Sequence, residues 1–390
     1  MEPLCSEVPK PLLPVAGRSL LERMLDGLRA AEVDRVVLVV EHQAHRIEAA
    51  VADLPGLDVV CVRQGEPRGT GHAVAVGAGH VSGDALVVVA DCLVDPDTLR
   101  DLAAAPGFAV AVAEVEDPTR YGVLAVEGGR VTGVEEKPEA ARARTVNTGL
   151  YRVPRAALDA CAGLSPSPRG ELEFTDVLRA WAERGEVSAV PARGWHDVGT
   201  PWDYLLAHEV VLPAESARHV HEGRFGGGGH VEDGVFVRGR LWVEPGGTVR
   251  SGTYIEGDVY VSAGADVGPN AYLRGVVFVG REARVGAATE VKNSILLERA
   301  RAPHHNYVGD SVLGRDCNLG SGTKLANLRF DKATVRVDWR GRILDTGRRK
   351  FGAIVGDRAQ TGINASLMPG TILAAGASVA AGSVASGWVD

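Results

Sequence analysis

Two hydrophobic textures divide the chain. Up to about Glu215, short apolar runs alternate with amphipathic stretches. Arg35 to Val40, Asp58 to Val62, Ala85 to Ala90 and Phe108 to Ala113 are compact apolar runs suited to buried strands of a mostly parallel sheet. Between them, Ser19 to Ala31 and Arg46 to Leu54 carry apolar residues at helical spacing. The alternation predicts an open α/β sheet of Rossmann-like type, with right-handed crossovers and ligands beyond the carboxyl ends of the strands. Residues near 203–221 read as helical, and Gly226 to Gly229 read as a flexible linker.

Beyond the glycines the period changes. Val231, Val237, Val243, Val249, Ile255, Val261, Val267, Leu273, Val279, Val285, Val291 and Leu297 recur at every sixth residue. The period resumes at Leu313, Leu319 and Leu325, and again at Val355, Thr361, Leu367, Leu373 and Val379. Six is neither a helical nor a strand period. It is the hexapeptide repeat of a left-handed parallel β-helix, in which each six residues form one face and point one aliphatic side chain inward. Gly, Ala, Asp, Asn and Ser fill the corners, where turns need small or left-handed-tolerant residues. Two breaks in the period, Arg299 to Gly309 and Arg329 to Lys350, are expected to be loops leaving the coil, and long loops on a rigid scaffold often carry function. The predicted organisation is an α/β domain over 1–215, a linker over 216–229 and a β-helix over 230–390.

Composition narrows the chemistry. Aromatic residues are only 5% of the 390, as a narrow prism requires. The 42 basic and 50 acidic residues give a net charge of -8 and are intermixed, which disfavours nucleic acid as a partner. The five cysteines are scattered and never form a CxxC pair, which fits a reducing cytoplasm rather than a disulfide or zinc framework. No apolar run is long enough to span a membrane, and no signal region opens the chain.

Lys10 lies in Val8-Pro9-Lys10-Pro11-Leu12-Leu13-Pro14-Val15-Ala16-Gly17, a stiff setting that suits a lysine point charge for polyphosphate. Gln64 precedes Gly69-Thr70-Gly71-His72-Ala73; a glutamine amide can pair with a pyrimidine edge, and glycines let backbone approach a nucleotide. Asp91 ends the run Ala85 to Ala90, where a carboxylate faces the ligand crevice. These segments, with Tyr121-Gly122, Glu135-Glu136-Lys137-Pro138, Asn147-Thr148-Gly149 and Trp195-His196-Asp197-Val198-Gly199-Thr200, occur in the order found in sugar-1-phosphate nucleotidyltransferases, which residues 1 to 210 resemble. The resemblance implies Mg²⁺ held by Asp91 and Asp197, and a nucleotide met by Gln64, Gly69, Thr70 and Asp91. It also implies catalytic charge from Lys10 and a sugar phosphate bound by Gly122, Glu136, Lys137 and Asn147. The implied reaction is in-line attack of a sugar-1-phosphate on a nucleoside triphosphate, UTP or dTTP, with release of pyrophosphate.

The first break reads Ala302-Pro303-His304-His305-Asn306-Tyr307-Val308-Gly309-Asp310. A histidine beside a coil break suits general-base work near neutral pH. Arg274 and Lys292 are eighteen residues apart, one turn of three hexapeptides, so they stack on one edge and can grip one phosphate. With Asn318 and Asn327, this spacing resembles the acetyltransferase half of bifunctional sugar-1-phosphate nucleotidyltransferase/amino-sugar-1-phosphate acetyltransferases of the GlmU type. By that resemblance His304 is the base, Asn327 orients the amine or steadies the oxyanion, and Arg274, Lys292, Tyr307 and Asn318 bind the sugar phosphate. Acetyl-CoA is then a co-substrate and the assembly a homotrimer. Leu328 stands where the family has tyrosine, and the insertion Arg329 to Lys350 is closer to archaeal members.

The family's opening strand and G-x-G-x-R loop have no counterpart, since Met1-Glu2-Pro3-Leu4 aligns with the end of that element. The expectation is that sequence upstream in the genome encodes it. The leading expectation is synthesis of UDP-N-acetylglucosamine. Two alternatives stay open: a single-function glucose-1-phosphate thymidylyl- or uridylyltransferase with a structural β-helix, and a non-catalytic regulatory subunit. The amino sugar, and UTP against dTTP, also stay open.

Overall fold

The computed structural model describes residues 1–52 and 54–390; Asp53, within the predicted helix Arg46 to Leu54, lies outside the described residues. The chain forms two compact units. One is Leu20–Asp197; the other joins Met1–Ser19 to Val198–Asp390.

In the unit Leu20–Asp197, six strands lie in the order Ala85–Val88, Thr145–Val153, Phe108–Glu114, Val187–Pro191, Arg130–Glu136, Gly122–Glu127. Arg35–Val40 and Asp58–Arg63 form a separate parallel pair. The expected strands and helices are present, but the sheet is mixed rather than mostly parallel. Only Phe108–Glu114 and Val187–Pro191 run parallel, and Thr145–Val153 is antiparallel to both of its neighbours. One reason lies in Gly128 and Gly129, whose φ values of 57° and 78° make the tight turn of a hairpin between Gly122–Glu127 and Arg130–Glu136. Such strands show alternation instead of a continuous apolar run. Phe108, Val110, Leu124, Val153 and Leu158 form the core, with Phe174 and Leu178 of the helix Phe174–Ala182 packed on them.

The second unit is a three-sided parallel β-coil. Val243, Val249, Ile255, Val261, Val267, Leu273, Val279, Val285 and Val291 are all 0% exposed and stack in one aliphatic column. Tyr254 faces Tyr272 and Tyr272 faces Glu290, so each early turn takes eighteen residues. The next turns are one residue shorter: Glu290 faces Tyr307 and Arg284 faces Arg301.

That shortening corrects two expectations. The inward position after Val291 is Leu296, not Leu297, and the column then runs through Ala302, Val308 and Leu313. Nor does Arg299 to Gly309 leave the coil, because Arg301–His304 and Tyr307–Gly309 are both strands of it. Two five-residue faces shift the phase by two and mimic a loop in the sequence.

A shortened corner strands backbone groups, and two fully buried serines satisfy them. The Ser294 hydroxyl donates to the Lys292 carbonyl at 2.7 Å and accepts from the Ser311 N–H at 3.0 Å. The Ser311 hydroxyl donates to the Gly309 carbonyl at 2.8 Å and accepts from the Ala353 N–H at 3.0 Å. Ser311→Ala should therefore lower unfolding stability by about 1–3 kcal/mol, the cost of stranding a buried donor. A urea midpoint equal to the parent's contradicts this.

The second break does leave the coil. It forms the hairpin Arg336–Trp339 with Arg342–Asp345, and the coil resumes with Leu325 facing Leu367. Trp339 packs edge-on against Trp202 of the helix Pro201–His219, at 6.3 Å between ring centroids. Thr200 and Asp203 cap that helix reciprocally.

The predicted linker is also replaced. Arg224–Gly226 already pairs with Arg240, Leu241 and Trp242, and the Gly229 N–H donates to the Val243 carbonyl at 2.9 Å. Gly227 has φ +97°, and a Cβ there would lie 2.3 Å from the Val243 carbonyl oxygen. These glycines are the first edge of the coil, where backbone packs too closely for side chains.

The boundary at 215 moves as well. Leu4, Leu13 and Val15 are fully buried within the coil unit. The Arg315 guanidinium donates to the Leu4 carbonyl at 3.0 Å, and the Ser6 hydroxyl donates to Asp357 at 2.8 Å. The Tyr204 hydroxyl donates to the Pro14 carbonyl.

Candidate functional site

In the unit Leu20–Asp197, the short strands Cys92–Leu93 and His196–Asp197 pair antiparallel, with Asp197 opposite Cys92. Asp91 immediately precedes that strand, so the two aspartates predicted to hold a metal come from segments joined by this pairing. The Tyr121 hydroxyl donates to Asp197 at 3.3 Å, and the Arg120 guanidinium lies 3.6 Å from it. Tyr121 packs edge-on to Trp195.

Tyr121 leads directly into the sugar-binding candidates. Gly122 faces Glu136 in the ladder, and a Cβ at Gly122 would lie 3.0 Å from Oε2 of Glu136 and 3.6 Å from Cβ of Asn147. Glycine there keeps room beside both polar side chains. Asn147 is fixed at both ends of its amide: Nδ2 donates to the Tyr151 hydroxyl at 2.7 Å and Oδ1 accepts from the Gly149 N–H at 3.1 Å. Burial pushes the Glu136 carboxyl above its ordinary range, with Lys137 and Arg169 pulling it back. Lys137 itself is exposed, in a left-handed conformation with φ 44°, and its N–H donates to the Tyr121 carbonyl.

The Gln64 side chain donates to the Gly69 carbonyl at 3.3 Å and sits 3.4 Å from His72. Thr70 opens the helix Thr70–Ala78, and its hydroxyl accepts from the Phe174 N–H. Gly69 and Gly71 press on the backbone of Leu172, which a Cβ at either position would meet at 2.6 Å and 2.9 Å. The segment that supports this loop also carries Arg169, 3.6 Å from Glu136 and 2.6 Å from Glu173. Sequence reasoning missed Arg169. It stands in Ser165-Pro166-Ser167-Pro168-Arg169-Gly170, a cation in a stiff turn like Lys10, and that was the available signal. Lys10 belongs to the other unit, in a short 3₁₀ turn, Lys10–Leu12.

In the coil, Arg274 and Lys292 are direct neighbours in the parallel ladder, as their spacing predicts. The next turn of the same face carries Tyr307 and Gly309. A Cβ at Gly309 would lie 2.6 Å from Nδ2 of Asn327 and 2.7 Å from the Tyr307 hydroxyl, so these two side chains converge over a glycine floor. Burial raises the Tyr307 phenol above its ordinary value, aided by Glu290. Arg274 pairs with Glu290 at 2.7 Å and Lys292 with Asp310 at 2.6 Å.

His304 ends the strand Arg301–His304, at the corner leading into that face, and is exposed. The 2% exposed Asn306 holds the corner. Its Oδ1 accepts from the His304 N–H at 3.0 Å and its Nδ2 donates to the Gly320 carbonyl at 2.8 Å. Asn306 did not stand out in the sequence as a supporting residue, because a β-helix fills its corners with Asn and Asp anyway. Among the coil's candidates, Asn318 stands apart from this cluster. It lies on the adjacent face, opposite Arg301.

Among the described residues, no helix is long and apolar enough to cross a membrane. Residues 1–213 match the family described as nucleotidyl transferase, and residues 255–388 match the one described as GMPPB C-terminal domain. The chain is similar to a bifunctional protein GlmU of Methanococcus maripaludis, 39% identical over 372 residues, covering 94% of this chain and 87% of that protein. A bifunctional protein GlmU of Methanococcus aeolicus is 34% identical over 371 residues, with the same coverage. A bifunctional sugar-1-phosphate nucleotidylyltransferase/acetyltransferase of Sulfurisphaera tokodaii is 31% identical over 388 residues, covering 98% of this chain and 94% of that one. With its nucleotidyltransferase-like sheet, its parallel β-coil and these relatives along nearly its whole length, the chain is an enzyme of the nucleotidyl transferase family, of the bifunctional nucleotidyltransferase/acetyltransferase kind.

Proposed function

We propose that the chain makes UDP-N-acetylglucosamine from glucosamine 1-phosphate in two transfers. The observation that carries the reading is the face of the coil on which Arg274, Lys292, Tyr307 and Asn327 stand together, with His304 at its entrance. A scaffold alone needs no phosphate-binding pair, amide and base in register.

In the first transfer, Arg274 and Lys292 hold the phosphate of the amino sugar. His304 takes a proton from its amine, and the amine nitrogen attacks the thioester carbonyl of acetyl-CoA. A C–N bond forms, the C–S bond breaks, and coenzyme A leaves as the thiol. The Asn327 amide, beside the Tyr307 hydroxyl, donates to the developing oxyanion or aligns the amine. The tenancy of Asn318 on the adjacent face fits a site completed by another copy of the chain, in a homotrimer.

In the second transfer, a phosphate oxygen of N-acetylglucosamine 1-phosphate attacks the α-phosphorus of UTP, and pyrophosphate leaves. Gln64 reads the pyrimidine, Gly69 and Thr70 let backbone approach the nucleotide, and Gly122, Glu136 and Asn147 receive the sugar. Lys137 and Arg169 supply positive charge. Asp91 and Asp197 suit Mg²⁺, since two carboxylates leave room for water and phosphate oxygens. Bound there, Mg²⁺ would offset charge on the phosphates. Positioning and charge, rather than a covalent intermediate, carry the step. Five free thiols suit a cytoplasmic setting.

The test is a panel assay of the purified chain with acetyl-CoA, glucosamine 1-phosphate, galactosamine 1-phosphate, UTP and dTTP. Thiol release with glucosamine 1-phosphate, followed by pyrophosphate release with UTP, is the expected result. No thiol release with either amino sugar would reduce the coil to a scaffold.

A further inference from the structure

The coil lysine proposed to grip the phosphate is not held by its own face alone. Both oxygens of Asp310, whose side chain is 3% exposed, accept from the Lys292 ammonium, at 2.8 and 2.6 Å. The same carboxylate accepts from the amide of Asn327 and, at 3.1 Å, from that of Asn293. Asp310 therefore ties the proposed phosphate cation to the proposed oxyanion amide. Asn293 and Asp310 occupy the two shortened corners, both left-handed at φ 47°. Their backbones are stacked, since the Asp310 N–H donates to Lys292 and the Asn293 N–H donates to Arg274.

The chain of bonds continues outward. Nδ2 of Asn293 also donates to Glu209, on the helix Pro201–His219. Glu209 in turn is gripped by both terminal nitrogens of Arg348, at the end of the hairpin that leaves the coil. The Glu209 and Arg348 side chains are only 24% and 20% exposed. Thr346 and the Val335 strand edge hold the Arg348 backbone: its N–H donates to the Thr346 hydroxyl, and its carbonyl accepts from the Val335 N–H.

We propose that Glu209 and Arg348 are positioning residues for the amino-sugar phosphate site, acting through Asn293 and Asp310 to aim the Lys292 ammonium. This rests on the reading of that face as the phosphate site. The physical case is one of entropy and charge. A free lysine side chain has many rotamers, and ordering it costs about 2 kcal/mol at the moment of binding. Two bonds to Asp310 order Lys292 beforehand and leave its third N–H for a phosphate oxygen. An aspartate so deeply buried keeps one arrangement only if its remaining lone pairs are occupied, and Asn293 and Asn327 occupy them. The amide of Asn293 can turn away unless Glu209 accepts its second proton, and Arg348 both orders Glu209 and balances its charge. This assigns a task to an insertion that the sequence left unassigned: it delivers Arg348.

Three variants test it in the full chain: Glu209→Gln, Arg348→Met, and the exchange Glu209→Arg with Arg348→Glu. In thiol-release assays the first two should raise KM for glucosamine 1-phosphate about tenfold, with KM for acetyl-CoA and kcat within about twofold of the parent. The exchange restores an ion pair but gives Asn293 no acceptor on the helix. It should recover thermal stability and leave KM for the sugar phosphate high. Recovery of that KM by the exchange, or equal rises in both KM values, overturns the proposal in favour of a purely structural pair. A second readout needs no turnover. Reductive methylation with formaldehyde and borohydride, quantified by peptide mass spectrometry, should label Lys292 several-fold faster in Glu209→Gln than in the parent, with Lys350 unchanged. Unchanged Lys292 labelling overturns the proposal. Faster labelling in a chain whose parent form releases no thiol keeps the positioning claim and removes the acetyl-transfer reading.

Discussion

Alanine in place of His304 is expected to abolish acetyl transfer and leave the fold and nucleotidyl transfer nearly untouched. A positioned general base is worth about a hundred- to ten-thousandfold in rate. The ammonium form of the amino sugar cannot attack a thioester at all, so the loss should lie toward the upper end. The side chain is exposed, and the corner that carries it is held by backbone bonds and by Asn306, none of which alanine removes. Unfolding stability should therefore change by less than about 0.5 kcal/mol, as for other surface substitutions. The measurement is thiol release by parent and variant, paired with pyrophosphate release from UTP and N-acetylglucosamine 1-phosphate. Equal thiol release would remove His304 as the base. Parallel loss of both activities would point to a folding defect and be visible in the unfolding curve.

The second large effect is expected at Asp197. Asparagine there keeps an oxygen that can accept from the Tyr121 hydroxyl, so the contact at 3.3 Å survives while the charge is lost. With one of the two carboxylates proposed to hold Mg²⁺ gone, the ion would be held less tightly and would offset less charge on the nucleotide phosphates. Loss of one such charged contact costs several kcal/mol, on the order of a thousandfold in rate. The half-saturating magnesium concentration should rise together with the fall in pyrophosphate release, and acetyl transfer should persist. A magnesium titration identical to the parent's would put the metal elsewhere.

The coil was legible at the level of single residues. Val243 to Val291 form its column as the period requires, because an inward face recurring every sixth residue leaves no other fold. Arg274 and Lys292 are ladder neighbours for the same reason. What the period hid was its own slip. A face shortened by one residue looks like a broken repeat when read along the chain, although in space it is a tighter corner closed by Ser294 and Ser311. The glycine run misled in the opposite direction: glycine is chosen both for freedom and for crowding, and only the 2.3 Å approach at Gly227 tells the two apart. In the α/β unit, motifs singled out Asp91, Asp197 and Gly122 as candidates because their neighbours are distinctive. Arg169 escaped because its value depends on Glu136, thirty-three positions away. Glu209 was illegible for a stronger reason. Its partners are an asparagine in a coil corner and an arginine on an excursion, and only tertiary structure brings them to one carboxylate.

The tie between Leu4 and Arg315 has a consequence for biosynthesis. Residues 1–19 belong to the coil unit, yet the arginine that receives Leu4 follows it by 311 positions. At about 5–20 residues per second, a ribosome needs roughly 15 to 60 s to make that interval. Throughout that time Leu4, destined for full burial, lacks the arginine that receives it. The α/β unit, whose chain Leu20–Asp197 is contiguous, can complete itself meanwhile. The nascent chain thus carries an unsatisfied apolar segment for most of its synthesis, a natural place for a chaperone to hold it until the coil arrives.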